Sequence, residues 1–207
     1  MSERIYVDID DVLGRTIEGL IDLLETTHGR RVEVEAVRHF DLSKSFGLGE
    51  DEIRAFMERA HHDDALDRIA PSEGAVEVLA DWADAGHSIR LVTGRPPSTN
   101  AASRRWLERH GFAHDALHHL DKWARPSWNV EDLPAIRFED LESIGFGFAV
   151  EDSLDTAVRL VEILDAPIAL MDRPWNREVD DLSPGTRERL VRCVDWSDVA
   201  RVFRARR

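Results

Sequence analysis

Short apolar runs alternate with amphipathic stretches along most of this chain. The run at residues 5–7 lacks polar alternation, as a strand buried on both faces does, and further runs of strand length cover residues 88–92, 117–120, 146–150 and 167–171. Between them, apolar residues recur at three- and four-residue spacing, which is typical of helices packed on one face. Strands that alternate with helices in this way predict an α/β fold, a doubly wound parallel sheet with helices on both faces.

Serines precede three of the predicted helices. Ser72 and Ser98 are predicted to cap helices that end at Gly86 and Gly111, and Ser153 is predicted to cap a third. A serine hydroxyl at this position accepts a hydrogen bond from one of the free N–H groups of the first helical turn. These three helices would follow one another along the main sheet-forming part of the chain.

The stretch between the first strand and Pro71 has a different pattern. Apolar residues at helical spacing from Ile17 to Leu24 predict one helix, which Gly29 ends, and residues 50–62 predict a second. No convincing strand interrupts this stretch, so it is predicted to form a helical cap inserted after the first strand. The chain is therefore expected to comprise a main α/β domain and this insertion: residues 1–13 with 71–207, and residues 14–70.

Two stretches carry weaker patterns. Residues 123–137 hold two prolines and two tryptophans and are predicted to form a loop. Residues 186–207 are predicted to be helical around a short segment near Val194.

Polar residues follow directly after four of the predicted strands. Asp8 and Asp10 follow the first, Thr93 and Gly94 another, Lys122 a third, and Glu151 and Asp152 a fourth, so the set is Asp8, Asp10, Thr93, Gly94, Lys122, Glu151 and Asp152. The carboxyl ends of parallel strands share one edge of a sheet, where open α/β sheets bind their ligands. We therefore expect these residues to meet in one crevice, although they are distant in sequence.

Composition narrows the possible functions. The chain has 207 residues, 43% of them hydrophobic and 33% charged, which is typical of a globular protein. The absence of an apolar run of about 20 residues, the lack of a signal-peptide pattern at the start and the single cysteine, Cys193, lead us to expect a cytoplasmic protein. The net charge of −14 argues against binding to polymeric nucleic acid, but a small phosphorylated ligand needs only a local cation.

The predicted crevice would be rich in carboxylates. Carboxylate oxygens without histidine or cysteine partners suit Mg²⁺, which keeps several waters and binds substrate phosphate. Asp8 and Asp152 are candidate direct ligands, the backbone carbonyl of Asp10 is a third, and Glu151 could hold a coordinated water. A bound cation would explain how so much negative charge can gather in one place.

A bound phosphoryl group would give the other residues a role. The Thr93 hydroxyl, the Gly94 amide and the Lys122 ammonium could hold its oxygens, since phosphoryl transfer depends mainly on positioning and charge neutralisation. Asp8 could attack phosphorus and form an aspartyl-phosphate. Asp10 could protonate the leaving oxygen and then deprotonate the water that hydrolyses the intermediate.

These residues resemble a known set of motifs. In order along the chain they are similar to the four motifs of the haloacid dehalogenase (HAD) superfamily of phosphohydrolases: Asp8-Ile9-Asp10-Asp11-Val12, Thr93-Gly94-Arg95, Lys122 and Glu151-Asp152. The resemblance covers nearly the whole chain. It implies an HAD-like Rossmannoid core, Mg²⁺ dependence, the residue roles given above and a helical cap that closes over the site.

Within the superfamily, the closer similarity is to the 5′(3′)-deoxyribonucleotidase-like branch. The residues that carry it are Phe40-Asp41-Leu42, the re-entry at 71–74 and the segment 172–177. Glu151-Asp152 departs from the two aspartates that many relatives of that branch have, although the acidic character is kept. The branch implies a 5′-nucleotidase acting on (deoxy)nucleoside monophosphates.

Several alternatives stay open at this point. The ester could instead be a sugar phosphate or phosphoglycolate, the enzyme could be a phosphomutase, or the chain could be a non-catalytic nucleotide-binding regulator. Arg125 or Arg137 could replace Lys122 at the phosphate. Phe40, Phe46 and Arg95 are candidate substrate contacts, with cap core as the competing interpretation of the two phenylalanines, and a homodimer is an open alternative to a monomer.

Overall fold

The main feature of the fold is one parallel sheet. The computed structural model describes residues 2–122, 129–130 and 133–206. The strands are β1 (Arg4–Val7), β2 (Ser88–Thr93), β3 (Ala116–His119), β4 (Asn129–Val130), β5 (Leu133–Pro134), β6 (Phe148–Glu151), β7 (Ile168–Met171) and β8 (Leu190–Cys193). Six of them form a sheet in the order β3-β2-β1-β6-β7-β8, in which every pair is parallel. The predicted doubly wound parallel sheet is confirmed.

Helices cover the sheet and form the insertion. They are α1 (Thr16–His28), α2 (Leu42–Phe46), α3 (Glu50–Ala60), α4 (Asp63–Leu66), α5 (Ala75–Asp84), α6 (Asn100–His110), α7 (Phe138–Ile144), α8 (Leu154–Ile163), α9 (Pro184–Arg189) and α10 (Trp196–Ala205). Short 3-10 turns occur at Val34–Ala36, Pro97–Thr99 and Pro174–Asn176. Across the described part of the chain, no helix combines the length and the apolar character that crossing a membrane requires.

The first strand lies in the middle of the core. β1 is hydrogen-bonded to β2 on one side and to β6 on the other. Its side chains alternate between the two faces of the sheet: Ile5 and Val7 pack into one hydrophobic cluster and Tyr6 into the other. All three are fully buried, which explains why this strand shows no polar alternation.

The insertion has a small hydrophobic cluster of its own. Helices α1 to α4 lie between β1 and α5, and Phe46 and Phe56 pack edge to face in their cluster with ring centroids 5.6 Å apart. The chain enters and leaves this segment side by side, because the Arg15 amide donates to the Ala70 carbonyl at 2.8 Å. The helical content of residues 14–70 agrees with the sequence, while their status as a separate cap domain stays a prediction.

Two of the three predicted serine caps are wrong. The cap position of α5 is Gly74 in a left-handed conformation (φ 78°), and the buried Ser72 hydroxyl has no hydrogen-bond partner among the described residues. The cap position of α6 is Thr99, since Ser98 lies inside the preceding 3-10 turn. Ser153 does cap α8, where its hydroxyl accepts a hydrogen bond from the Thr156 amide at 3.3 Å.

The C-terminal tail contains a strand that the sequence did not predict. Residues 186–207 include β8, which pairs with β7 at the edge of the sheet and lies between α9 and α10. Most of β8 is only partly buried, so it lacks the continuous apolar run that marks the central strands. The predicted loop 123–137 lies partly outside the described residues, and β4 and β5 form a short antiparallel pair within it.

Candidate active site

Three carboxylates meet where β1 and β6 end. Val7 is in register with Val150, so Asp8 and Glu151 come next to each other as the two parallel strands finish. Within the described part of the chain, Asp8, Glu151 and Asp152 form a group whose carboxylate oxygens lie within 4.8 Å of one another. All three side chains are buried. Adjacent parallel strands thus bring together residues that are about 140 positions apart in sequence.

The electrostatics of this group favour a bound cation. Burial, and then the neighbouring Glu151 carboxylate, raise the pKa of Asp8 and that of Asp152 well above the usual range. Lys122 brings one ammonium, with Nζ 4.0 Å from Glu151 Oε1. Burial lowers the pKa of Lys122, but the surrounding carboxylates, Glu151 first, together raise it by more, so Lys122 stays charged. One ammonium cannot balance three carboxylates, and this all-oxygen donor set fits Mg²⁺.

Residues that the sequence analysis did not assign to the site orient two of these carboxylates. Glu151 Oε2 accepts a hydrogen bond from the Tyr6 hydroxyl at 2.8 Å. Asp152 Oδ2 accepts one from the Trp175 indole at 2.8 Å, and Asn176 donates to the Asp152 backbone carbonyl at 2.7 Å. The sequence signal was the segment 172–177, which follows a strand and carried the resemblance to nucleotidases. For Tyr6 there was no signal beyond its being a polar tip in an apolar strand.

Asp11 turns away from the three carboxylates. Its backbone is left-handed (φ 55°), and its Oδ1 accepts a hydrogen bond from the Ile17 amide at the start of α1, at 3.0 Å. Its backbone carbonyl accepts two hydrogen bonds from the Arg173 guanidinium, at 3.0 and 2.6 Å. Burial raises the pKa of Asp11 to about 7. This residue fixes the path of the chain into the insertion.

The residues predicted to hold phosphate lie beside the carboxylates. Thr93 ends β2 and is fully buried, and the next residue, Gly94, packs so closely on Lys122 that an added Cβ would lie 3.4 Å from Lys122 Cε. Gly94 and Lys122 line the same cavity as Asp8. The structure thus brings Gly94 and Lys122 together with Asp8, as the order of the strand ends implied, and the Thr93 hydroxyl lies 3.4 Å from Asp10 Oδ2. Arg125, one alternative to Lys122, lies outside the described residues.

Asp10 also lines the cavity, but its side chain forms an ion pair with Arg95 and does not belong to the group of three carboxylates. The Arg95 guanidinium donates to Asp10 Oδ1 at 2.7 Å through Nη2. The Thr16 hydroxyl donates to the same oxygen at 2.7 Å. Although burial alone would raise it, the pKa of Asp10 is lowered because Arg95 and these hydrogen bonds favour the carboxylate.

A cavity of about 620 Å³ opens above these groups. Its floor is polar, while apolar side chains of the insertion form much of its wall: Ile17, Leu20, Leu23, Leu42, Ile53 and Met57. Phe40 lines the cavity and is 49% exposed, whereas Phe46 is buried in the hydrophobic cluster of the insertion. His39, Asp41 and His61 add polar groups to the wall. Of the three candidate substrate contacts, Phe40 and Arg95 therefore line the cavity.

Part of the chain matches a known family model, and nearly all of it is similar to a known protein. The family model described as "PITM 1-3, LNS2 domain" matches residues 55–131, less than half of the chain. A protein of Halalkalibacterium halodurans that carries the name "putative nucleotidase" is 25% identical over 197 residues, which cover 95% of this chain and 90% of that protein.

Solved structures show the fold. An HAD family hydrolase from Deinococcus radiodurans R1, with bound phosphate and sodium, superposes with a TM-score of 0.58 at 16% identity and covers 93% of this chain and 91% of its own. Protein tyrosine kinase A from Mycobacterium tuberculosis superposes with a TM-score of 0.65 at 13% identity, covering 97% of each chain. Proteins named for different reactions share the architecture, so it does not by itself assign the reaction. The chain has the HAD-like α/β fold, with its carboxylate cluster at the carboxyl ends of the strands.

Proposed function

We propose that this protein is a Mg²⁺-dependent phosphomonoester hydrolase that acts on nucleoside monophosphates through an aspartyl-phosphate. The observation that carries the proposal is the meeting of Asp8, Glu151 and Asp152 beside Thr93, Gly94 and Lys122 at the base of an open cavity. A nucleophile, a cation site and groups that neutralise a phosphoryl group are the parts that phosphoryl transfer needs. The names of the relative and of the structural neighbour support this reaction class.

The reaction would proceed in two steps, formation of the aspartyl-phosphate and its hydrolysis. In the first, Asp8 attacks phosphorus, the bond from phosphorus to the ester oxygen breaks, and that oxygen takes the proton of Asp10. In the second, water attacks phosphorus and gives a proton to Asp10 while the bond to Asp8 breaks. The products are the alcohol and inorganic phosphate. Lys122, the Thr93 hydroxyl and the Gly94 amide hold the phosphoryl oxygens through both steps.

Asp8, Asp152 and Glu151 are the residues that would hold Mg²⁺, with the Asp10 carbonyl as a further oxygen ligand. A bound Mg²⁺ neutralises charge on the phosphoryl group and orients it against the nucleophile. The Tyr6 hydroxyl and the Trp175 indole keep Glu151 and Asp152 in place. Partners of this kind orient metal ligands and are expected to matter nearly as much as the ligands.

The cavity wall supports a nucleoside over a bare sugar as the leaving group. Leu20, Leu23, Ile53 and Met57 give an apolar surface that suits the face of a nucleobase, and the exposed ring of Phe40 could stack on it. A sugar phosphate would place its hydroxyl groups against the same apolar side chains, where these hydroxyls would have no hydrogen-bond partners. The relative named a nucleotidase is consistent with this choice.

A substrate panel tests the proposal. We expect kcat/KM to be highest for one or more 5′-nucleoside monophosphates, with ribose 5-phosphate and phosphoglycolate at least about tenfold lower, the factor that 1.4 kcal/mol of differential binding gives. EDTA should abolish activity and Mg²⁺ restore it, and Asp8→Asn should abolish activity while retaining the fold. Asp51→Asn, the same change at a residue on α3 whose side chain is 93% exposed, is the matched control and should be fully active.

The outcomes separate the parts of the proposal. If a sugar phosphate or phosphoglycolate is the best substrate, the nucleotide assignment fails and the phosphatase assignment stands. If no phosphomonoester is hydrolysed in the presence of Mg²⁺, the proposed reaction is wrong.

A further inference from the structure

Asp10 and Arg95 contact each other through several hydrogen bonds in the wall of the cavity. Arg95 Nε donates to both oxygens of Asp10, at 3.0 Å each, and Nη2 donates to Oδ1 at 2.7 Å. The Thr16 hydroxyl donates to Oδ1 at 2.7 Å, and the Thr93 hydroxyl lies 3.4 Å from Oδ2. The orientation of the Asp10 carboxylate is therefore set by donors on both oxygens.

Arg95 is itself held in place by the main domain. Its Nη1 donates to the Ser103 hydroxyl on α6 at 3.3 Å, and its amide donates to Thr93 Oγ1 at 3.2 Å. Its carbonyl accepts a hydrogen bond from His119 Nδ1 at 2.9 Å. Backbone and side chain are thus both anchored, so the guanidinium has a fixed position from which to orient its partner.

The two partners differ in what they show to the cavity. The Arg95 side chain is 3% exposed, whereas that of Asp10 is 30% exposed. The guanidinium lies behind the carboxylate and leaves the carboxylate as the group that a substrate would meet. A residue that contacts the substrate directly would be expected to offer more of its own surface.

We propose that Arg95 is the positioning residue for Asp10, and not a substrate contact. It holds the carboxylate where it can take a proton from the hydrolytic water, because donors on both oxygens favour the ionised form. The inference rests on the proposed function, because it assigns the partner that the acid/base residue acts with. A planar guanidinium can fix a carboxylate in two directions at once, which an ammonium cannot.

The proposal predicts different effects on the two chemical steps. p-Nitrophenolate is a weak base and leaves without a proton, so attack by Asp8 on p-nitrophenyl phosphate does not need Asp10. Hydrolysis of the aspartyl-phosphate still needs Asp10 to take the proton of water. An enzyme with a misplaced Asp10 should therefore form the intermediate quickly and hydrolyse it slowly.

The experiment uses the full chain with Mg²⁺ and p-nitrophenyl phosphate. We expect Arg95→Ala to release about one equivalent of p-nitrophenolate in a burst, followed by a steady-state rate reduced by about 10²-fold or more, the size of an acid–base contribution. Free guanidinium at millimolar concentration should restore part of the steady-state rate. Asp10→Asn should behave in the same way, and the double variant should lose no more than the worse single variant.

Two further variants keep the test valid if Arg95→Ala does not fold. Arg95→Lys keeps the charge and loses the planar fork, so it should also show the burst. Ser103→Ala removes the support of Nη1 alone and should reduce the steady-state rate by a smaller factor. Thermal melts of each variant establish that the folded protein is being assayed.

Three results would overturn the assignment. A raised KM with unchanged kcat in Arg95→Lys would make Arg95 a substrate contact. Losses in the double variant equal to the product of the two single losses would mean that Arg95 and Asp10 act independently. Wild-type rates in folded Arg95→Lys and Ser103→Ala would remove any role. If the wild type forms no intermediate at all, the proposed function fails and this inference fails with it, whereas the three results above overturn the inference alone.

Discussion

At the scale of single residues, Asp11 carries a buried proton that connects pH to stability. The residue is 9% exposed, and burial raises the pKa of its carboxyl group to about 7. The folded protein therefore keeps this proton up to about pH 7, while the unfolded chain releases it near pH 4. An acid whose pKa is raised on folding contributes stability that is lost as the pH rises through this window.

We predict that replacing Asp11 with asparagine removes this pH dependence. The oxygen of the asparagine side chain can still accept the hydrogen bond from the Ile17 backbone N–H, so the start of α1 is preserved. In EDTA, the free energy of unfolding of the wild type should fall relative to Asp11→Asn between about pH 4 and pH 7, by about 1.4 kcal/mol or less per pH unit. Urea titrations at intervals across this range measure it, and parallel curves for the two proteins would refute the prediction.

Also at the residue scale, the sequence predicted the acidic cluster because each member ends a strand. Asp8, Glu151 and Asp152 could be assigned to one sheet edge from the alternation of elements alone. The partners Tyr6 and Trp175 could not be assigned, because their contacts depend on how side chains from different elements meet. Arg95 is the intermediate case: its sequence position was noted, but only the structure shows its contact with Asp10.

At the scale of elements, the entry into the insertion is a tight crossing. A Cβ on Gly14 would lie 2.8 Å from Ile69 Cγ2 and 3.3 Å from the ring of Trp106. Gly19, one turn into α1, offers a Cβ an ordinary contact of 3.6 Å to the same isoleucine. A side chain is therefore excluded at Gly14, whereas a methyl group would fit at Gly19.

Alanine substitutions at these two positions should change stability in opposite directions. Gly14→Ala must displace its neighbours and should reduce the free energy of unfolding by about 1–3 kcal/mol. Gly19→Ala replaces a flexible residue in a helix and should increase it by about 0.5–1 kcal/mol. Chemical denaturation of both variants in one buffer makes Gly19→Ala the matched control, and equal effects would contradict the packing argument.

The elements that the sequence predicted well are those with strong periodicity. α1 and α8 have apolar faces that pack into their hydrophobic clusters, and β1 and β6 each contain three consecutive buried apolar residues. β8 was missed because an edge strand is only partly covered and has no full apolar run. The Ser72 cap failed because the carbonyl of Ser72 accepts the Ala75 amide instead, at 3.3 Å, and Gly74 makes the turn.

At the scale of the whole molecule, charge and metal binding are coupled. A chain of net charge −14 gathers three buried carboxylates at one point, so the folded state without a cation carries repulsion that the unfolded chain does not have. A cation that binds the folded state alone stabilises it by mass action. The walls of the cavity and the contacts between insertion and sheet arise only from the assembled molecule, and no local pattern predicted them.

Mg²⁺ should therefore raise the melting temperature of this protein even without substrate. At a concentration 100 times the Kd the expected gain is about 2.7 kcal/mol, and Asp152→Asn should lose most of it. NaCl at matched ionic strength is the control for general screening of the net charge. Thermal melts that respond equally to both salts, or equally in both proteins, would show that no specific cation site is present.

The two ends of the insertion lie next to each other in the structure. Arg15 and Ala70 are hydrogen-bonded to each other, and on the sheet side the Ser72 amide donates to the Leu13 carbonyl at 2.7 Å. A segment whose two ends are this close can be exchanged for another of different length without changing the path of the strands around it. The reacting groups sit on the sheet and most of the apolar wall sits on the exchanged part. We expect a foreign insertion grafted between these two junctions to keep the proposed reaction and to change which phosphate esters are hydrolysed, as kcat/KM values over a substrate panel would measure.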